Sequence, residues 1–374
     1  MKYLFLFIVV VHGLIHLMGF TKAFNLAQLE QLRAPITQPV GLLWLAAALL
    51  FLASAVLLLI APDWWWLPAA GAVVISQGVI IASWSDAKFG TIANLIVLVP
   101  LIIVGLGHAP WSFRAQYERN VVAGLASPPA QVTLVTDADI AKFPAVVQKY
   151  LRFAGVVGKP RVWNYRLRFG GAMRMSPTAD WMPITADQQS LVNPPTRLFI
   201  AEGSRSGLPF MAFHRYVSAG ATFQVRAVSL VSMVDDKGPE INRAETVTLF
   251  NDMCLLAPAT LIDLPVVWEA IDPQTVRATY TNAGNTISAL LSFDERGAIT
   301  NFVSDSRERS EERKGFGLAP TDPTMRWSTP VHEWRDFNGR MLPVKTETIW
   351  HLPSGEFAYG RFEILSIEYN VAGR

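Results

Sequence analysis

Four apolar stretches, residues 4–20, 40–60, 65–84 and 89–107, fill the first third of the chain, and beyond Trp111 the pattern changes to short alternating segments. A bilayer core about 30 Å thick takes roughly 20 apolar residues per helix, because backbone groups left unpaired in hydrocarbon are costly. The pattern therefore predicts an α-helical membrane bundle of four transmembrane helices. Trp64, Trp65, Trp66 and Trp84 fall at the ends of these stretches, where interfacial aromatic side chains belong. The first stretch has the lysine and apolar run of a signal peptide. No small-residue cleavage site follows it and two histidines interrupt it, so it reads as an uncleaved anchor.

After Trp111 the period shortens to two. Trp163, Tyr165, Leu167 and Phe169 share one face while Asn164, Arg166 and Arg168 share the other, and Phe223, Val225 and Ala227 alternate likewise. Further strands are predicted at 196–202, 276–281, 287–293, 299–305, 344–350 and 356–369, the last broken in two. Turn signals punctuate them at 294–297, Asn338-Gly339 and 353–355. One segment, 242–256, has helical spacing, with Val247, Phe250 and Cys254 on one stripe and Glu245 and Asp252 on another; Pro258 stops or restarts it. Asp137 or Asp139 is expected to cap a short helix, and Pro144 to begin another through Val147, Tyr150, Leu151 and Phe153. The expected architecture is a four-helix membrane domain (1–110), a linker (111–136) holding Ser127-Pro128-Pro129, and a mainly antiparallel β domain (137–374). In that last part a curved sheet or half-barrel buries one or two helices.

Composition sharpens the division. The 374 residues are 51% hydrophobic and 17% charged, too apolar for an ordinary soluble chain. Only Lys2, Lys22, Glu30, Arg33, Asp63, Asp86 and Lys88 carry charge up to Trp111. Neither part is basic enough for a nucleic-acid partner. Cys254 is the single cysteine, which excludes an intramolecular disulfide framework and suits a buried, inert thiol. The connections bearing Lys22, Arg33 and Lys88 oppose the cation-free Pro62-Asp63 connection. The positive-inside rule then places the C-terminal domain outside a bacterial inner membrane crossed several times, against the pull of Lys2, Arg114 and Arg119.

Candidate chemistry lies in two places. His12 and His16, four residues apart, share a helix face. Depth along antiparallel helices sets His16, Ser83 and Asn94 toward one side and His12 and Gln77 nearer the middle, with Asp86 and Lys88 at the mouth of the cluster. Such an arrangement can fix helix packing, hold a metal or haem, relay a proton, or contact a lipid or quinone. In the polar part, Asp252 and Glu269 have the chemistry of an acid–base pair, or of capping and ion pairing. His214 and Tyr216 offer ligand contacts, as do the aromatic Trp163, Trp181, Trp268 and Trp350, although core packing also explains them. The charged run 307–314 reads as a solvated loop. There is no phosphate-binding Gly loop, His-Glu-x-x-His helix or nucleophile elbow, so no catalytic residue is assigned and no cofactor is identified.

Phe143-Pro144 through Tyr150-Leu151, Trp181-Met182-Pro183 with Ala186 and Gln188, Phe250-Asn251-Asp252-Met253-Cys254, Pro258-Ala259 to Leu261-Ile262-Asp263, and Trp268-Glu269 resemble an uncharacterised bacterial domain-of-unknown-function family over most of residues 132–371. His12-Gly13-Leu14-Ile15-His16 with Gly19-Phe20, and 84–90, are similar to a recurrent membrane module joined to it. The resemblance implies a LolA/LolB-like half-barrel, a fold that binds acyl chains in lipoprotein carriers; it brings no catalytic residues. Three functions remain open at this point. One is a membrane-anchored protein binding a lipid or other hydrophobic ligand at the outer surface of the inner membrane. The second is an intramembrane metal, haem or quinone redox protein using His12 and His16, with the β domain as sensor or lid. The third is a non-catalytic assembly scaffold.

Overall fold

In the computed structural model residues 2–218, 220–307 and 326–373 are described. They form two compact units, Met1–Ala109 and Pro110–Arg374.

The N-terminal unit holds α1 (Lys2–Ala23), α2 (Gln38–Ile60), α3 (Trp66–Ala82), the short α4 (Trp84–Ala87) and α5 (Gly90–Gly107). Three of them, α1, α2 and α5, are long and apolar enough to cross a membrane, whereas α3 has 17 residues. Of the four expected spans, three are found as helices of spanning length, and the remaining one is a shorter apolar helix. Small residues set the packing of α1 on α2, because they let two backbones approach closely. A Cβ added at Gly41 would lie 2.3 Å from that of Ala23, and one at Gly19 would lie 2.1 Å from the Trp44 ring.

The C-terminal unit opens with α6 (Phe113–Leu125), α7 (Asp137–Ile140) and α8 (Ala145–Phe153). Six strands follow: β1 (Asn164–Met173), β2 (Met182–Leu191), β3 (Thr196–Arg205), β4 (Leu208–Val217), β5 (Gly220–Ala227) and β6 (Val231–Lys237). Then come α9 (Pro239–Leu255), a 3₁₀ turn (Pro258–Ile262), β7 (Val266–Asp272), β8 (Thr275–Asn282), β9 (Asn285–Phe293) and β10 (Ile299–Ser304). The chain ends with β11 (Trp327–Ser328), β12 (Val331–Asp336), β13 (Met341–Leu352) and β14 (Gly355–Tyr369). The described strands make one antiparallel sheet in the order β6-β5-β4-β3-β2-β1-β14-β13-β11-β10-β9-β8-β7, with β12 paired to β13.

The sheet is strongly curved. Strands β4 and β8 stand nine places apart in that order, about 43 Å on a flat sheet. Yet the Asn282 amide, at the end of β8, donates to the Tyr216 hydroxyl on β4 at 2.7 Å. Tyr216 also shares a hydrogen bond of 3.0 Å with Thr246 of α9. The sheet therefore wraps around α9, whose residues are buried on every side, Glu245 and Asp252 included. This corrects the expectation of separate apolar and acidic stripes with one buried: both lie inside. The helix begins earlier than its spacing suggests, since Pro239 occupies its first turn.

Three further expectations change. The stretch 111–136 contains α6, with Ser112 capping its start by accepting from the Ala115 N–H at 3.1 Å. Phe113, Tyr117 and Val121, spaced by four, pack on Leu198, Ile200 and Phe213 of the outer sheet face. The first turn of α7 is capped by Thr136, with Asp139 completing a capping box from inside the helix. The segment 356–369 is one strand, and the two breaks in its alternation are bulges at Tyr359 and Leu365, where the pairing skips a residue. Replacing Gly19 by Leu is expected to destabilise the N-terminal unit by about 1–3 kcal/mol through overpacking against Trp44. Thermal unfolding of the purified full chain, compared with the wild type, measures this.

Candidate functional site

Because paired residues on neighbouring strands point to the same face, the register of β1 to β5 writes the inner surface as successive rows. The row nearest α9 is Tyr165, Ser190, Arg197, Tyr216 and Ala221. The next is Leu167, Gln188, Phe199, His214 and Phe223. The third, Phe169, Ala186, Ala201, Ala212 and Val225, is built of small residues on three adjacent strands. Beyond it lie Gly171, Ile184, Gly203, Phe210 and Ala227, then Met173, Met182, Arg205 and Leu208 toward the hairpin ends.

The small third row leaves room that bulky inward residues would fill. A cavity of about 540 Å³ opens there. Its walls include Phe169, Ile184, Phe199, Ala201, Val225 and Ile364, and Trp327 and Trp350 close one side. Its rim reaches solvent, since Leu208 is 59% and Met233 51% exposed.

The floor is polar and ionic. Arg197, 7% exposed, donates through Nε to Asp252 at 2.6 Å and lies 3.4 Å from Glu245, which is 1% exposed. His214 Nδ1 is 3.4 Å and Arg307 3.7 Å from the other Glu245 oxygen. Gln188 donates from Nε2 to Asp252 at 2.9 Å and to Ser190 at 3.0 Å. Two buried cations thus face two buried carboxylates. Burial alone would raise the Glu245 carboxyl, but His214, Arg307 and Arg197 outweigh it and hold it well below the usual carboxylate range. Burial likewise works against the charged Arg197, and Asp252 with Glu245 reverses the effect and raises its pKa. Such a cluster is costly to break, because one partner removed leaves an uncompensated charge in the interior.

The candidate residues divide accordingly. His214, Asp252 and Trp350 line the cavity. Tyr216 stands in the row behind His214 and is held by Thr246 and Asn282. Trp163 precedes β1 and ties its backbone to Asn370 at 3.0 Å. Trp181 is flanked by the guanidinium groups of Arg174 and Arg361, 4.7 and 4.3 Å from its ring. Trp268 packs edge-on against Phe143. Glu269 is exposed and paired with Arg277 at 2.7 Å, so Asp252 and Glu269 each have a separate arginine and form no acid–base pair. Arg307, expected in a solvated loop, is buried with its guanidinium 4.6 Å from the Trp327 ring; residues 308–314 lie outside the described part of the chain. Burial pushes the Cys254 thiol far above its ordinary pKa, in keeping with an inert residue. Arg197, Gln188 and Arg307 were missed as site residues: a lone arginine in an alternating strand gives no sign that its partner lies on a distant helix.

In the N-terminal unit, His12 Nε2 donates to the Asn94 amide oxygen at 2.9 Å. His16 Nδ1 faces the His12 carbonyl at 2.8 Å and so carries the proton, leaving Nε2 to pair with the Ser76 hydroxyl at 2.9 Å. Asn94 in turn donates to Gln77 at 3.0 Å, and Gln77 to Thr91 at 3.2 Å. His12, His16, Asn94 and Gln77 are therefore brought together, with Ser76 at the centre, and Asn94 meets His12 instead of lying at the depth of His16. Ser83 ends α3 outside this network. Asp86 accepts the backbone N–H groups of Arg33 and Ala34 at 2.6 and 2.7 Å, and Lys88 lies over the Phe89 ring. Among the described residues no group of three or more His, Cys, Asp or Glu side chains is placed to hold a metal ion.

A curved antiparallel sheet closed around a buried helix, with an apolar cavity above an ionic floor, defines the C-terminal unit as a half-barrel. Residues 133–362 match the family of unknown function DUF6544, and the chain belongs to that family. Among solved structures it is similar to a putative outer membrane lipoprotein-sorting protein domain from Vibrio parahaemolyticus (8% identity, 56% of this chain and 86% of that one, TM-score 0.30). It is also similar to a LolA superfamily protein from Nitrosomonas europaea (9%, 61% and 93%, 0.32). A third likeness is to a DUF1329 family protein from Desulfovibrio piger (9%, 61% and 92%, 0.33). Nothing among curated proteins matches the chain.

The depressed Glu245 carboxyl has a consequence for acid stability. Its stabilising contribution is complete above its ordinary value of 4.5 and is lost as pH falls toward the lower folded value. Glu245→Gln is expected to be less stable than wild type at pH 7 and to show a flatter decline between pH 5 and 3, measured by denaturant unfolding across that range.

Proposed function

We propose that the protein is a membrane-anchored binding protein whose C-terminal half-barrel takes up a lipid or other hydrophobic ligand. The observation that carries this reading is the cavity of about 540 Å³ above the in-register alanines. Pockets for small apolar ligands combine this scale of volume with apolar walls and a few converging polar groups. Its methionine-rich rim, with Met173, Met175, Met182 and Met233, suits a ligand of variable shape, because thioether chains adapt their packing at low cost.

The domain boundaries support a division of labour between an anchor and a binding unit. Three long apolar helices supply the anchor. In this reading α3 is a fourth span: its 17 residues reach about 25 Å, and Trp65 and Trp84 flank it at interfacial positions. The His12, His16, Ser76 and Asn94 network then serves packing, since three of the four ring nitrogens are engaged by bundle partners. The cationic connections that carry Lys22, Arg33 and Lys88 support an orientation with the C-terminal unit on the outer side of a bacterial inner membrane.

Mass spectrometry of small molecules carried by the purified full chain is expected to find a hydrophobic ligand, and Ala201→Trp, which fills the cavity, to lose it while remaining folded. An empty wild type, or undiminished ligand in Ala201→Trp, would overturn the reading. A reporter fused after Arg374 is expected to be active as a periplasmic phosphatase and inactive as a cytoplasmic fluorophore; the reverse pattern would reverse the orientation.

A further inference from the structure

Among the described residues, two buried polar atoms of cavity-lining side chains, Gln188 Oε1 and Thr348 Oγ1, have no hydrogen-bond partner, and Gln188 stands at the floor. Gln188 lines the cavity and is 1% exposed, and its Oε1 accepts no hydrogen bond among the described residues. The orientation of this amide is fixed chemically. Its Nε2 meets Asp252 Oδ2 at 2.9 Å, and turning the group over would set an oxygen against that carboxylate. A buried acceptor is thus held ready, and such atoms in folded proteins are almost always satisfied.

The floor around it selects the kind of donor. Arg197 is committed to Asp252 and Glu245, and Arg307 lies against Glu245, so an incoming carboxylate or phosphate would meet two carboxylates whose cations are already engaged. An incoming ammonium would add a further buried cation beside Arg197, Arg307 and His214. An uncharged hydroxyl disturbs neither sign. Above the floor the Phe169, Ala186, Ala201, Ala212 and Val225 row offers only apolar surface, and the exposed Leu208 and Met233 lie toward the open rim.

Resting on the reading of the cavity as a hydrophobic-ligand site, we propose that its ligand is an amphiphile with an uncharged hydroxyl end, which enters polar end first and donates that hydroxyl to Gln188 Oε1. The alkyl body then lies along the alanine row and its far end points to the rim. Long-chain alcohols and other monohydroxylated hydrocarbons belong to this class; fatty acids and alkylamines do not.

The test uses the full chain in amphipol and displacement of the apolar dye N-phenyl-1-naphthylamine, with Ala201→Trp as the filled-cavity reference. Hexadecanol is expected to displace the dye at about one tenth of the concentration required by hexadecyl methyl ether, the difference one hydrogen bond makes, and ahead of palmitate and hexadecylamine. Gln188→Leu should bring alcohol and ether together while still taking up the dye. Equal displacement by the ether, the acid or the amine in wild type overturns the proposal, as does a preference that survives in Gln188→Leu. Should that variant fail to fold, the wild-type comparison decides alone. A wild type that takes up no more dye than Ala201→Trp overturns the cavity reading itself, an outcome distinct from dye uptake without preference.

Discussion

The C-terminal unit depends on the neutralisation of Glu245 and Asp252 inside it. A helix buried on all sides is ordinarily apolar all round. Helix α9 is not, and its two carboxylates stay in the interior because Arg197 reaches both from β3, while His214 from β4 and Arg307 from beyond β10 reach Glu245. These strands belong to opposite halves of the sheet, so the same charges that make the helix costly to bury also tie both halves of the sheet to it. Curvature, floor and cavity follow from that attachment. The hydrophobic rows supply most of the stabilising burial, and the ion pairs add a directional constraint on which way the helix faces.

Much of this was legible in the sequence, and the parts that were not share a cause. Strands β1, β5, β8 and β9 bury one face more than the other and announce themselves by alternation. Strand β2 alternates only as far as Gln188 and is buried on both sides beyond it, and β4 does not alternate, because one side faces the cavity and the other lies under α6. Helix α6 carried its own signal, Ser112 followed by Phe113, Tyr117 and Val121, but Arg114, Glu118 and Arg119 between them gave the segment the look of a linker. The hydrophobic pattern located α9 and hid its environment: periodicity reports which residues share a face, not what the opposite wall presents.

The site divides in the same way. Asp252, His214 and Trp350 were reachable as chemically able residues near a buried helix. Gln188 and Arg197 were not, since their significance comes from strand register between segments far apart in sequence. In the N-terminal unit the two histidines were recognisable from their spacing, and Ser76, the residue that joins them to Asn94, lies in a helix whose depth relative to α1 no sequence pattern sets.

The alanine row separates the size of the chamber from what holds the fold together. Ala201 and Ala212 line the cavity, yet neither caps a helix, joins an ion pair or contributes a side-chain hydrogen bond to the floor. Their backbone ladder is indifferent to side-chain size. A change of side-chain size at either position can therefore resize the chamber while the charged base and the wrapped sheet persist, so that chamber width and structural integrity are separable.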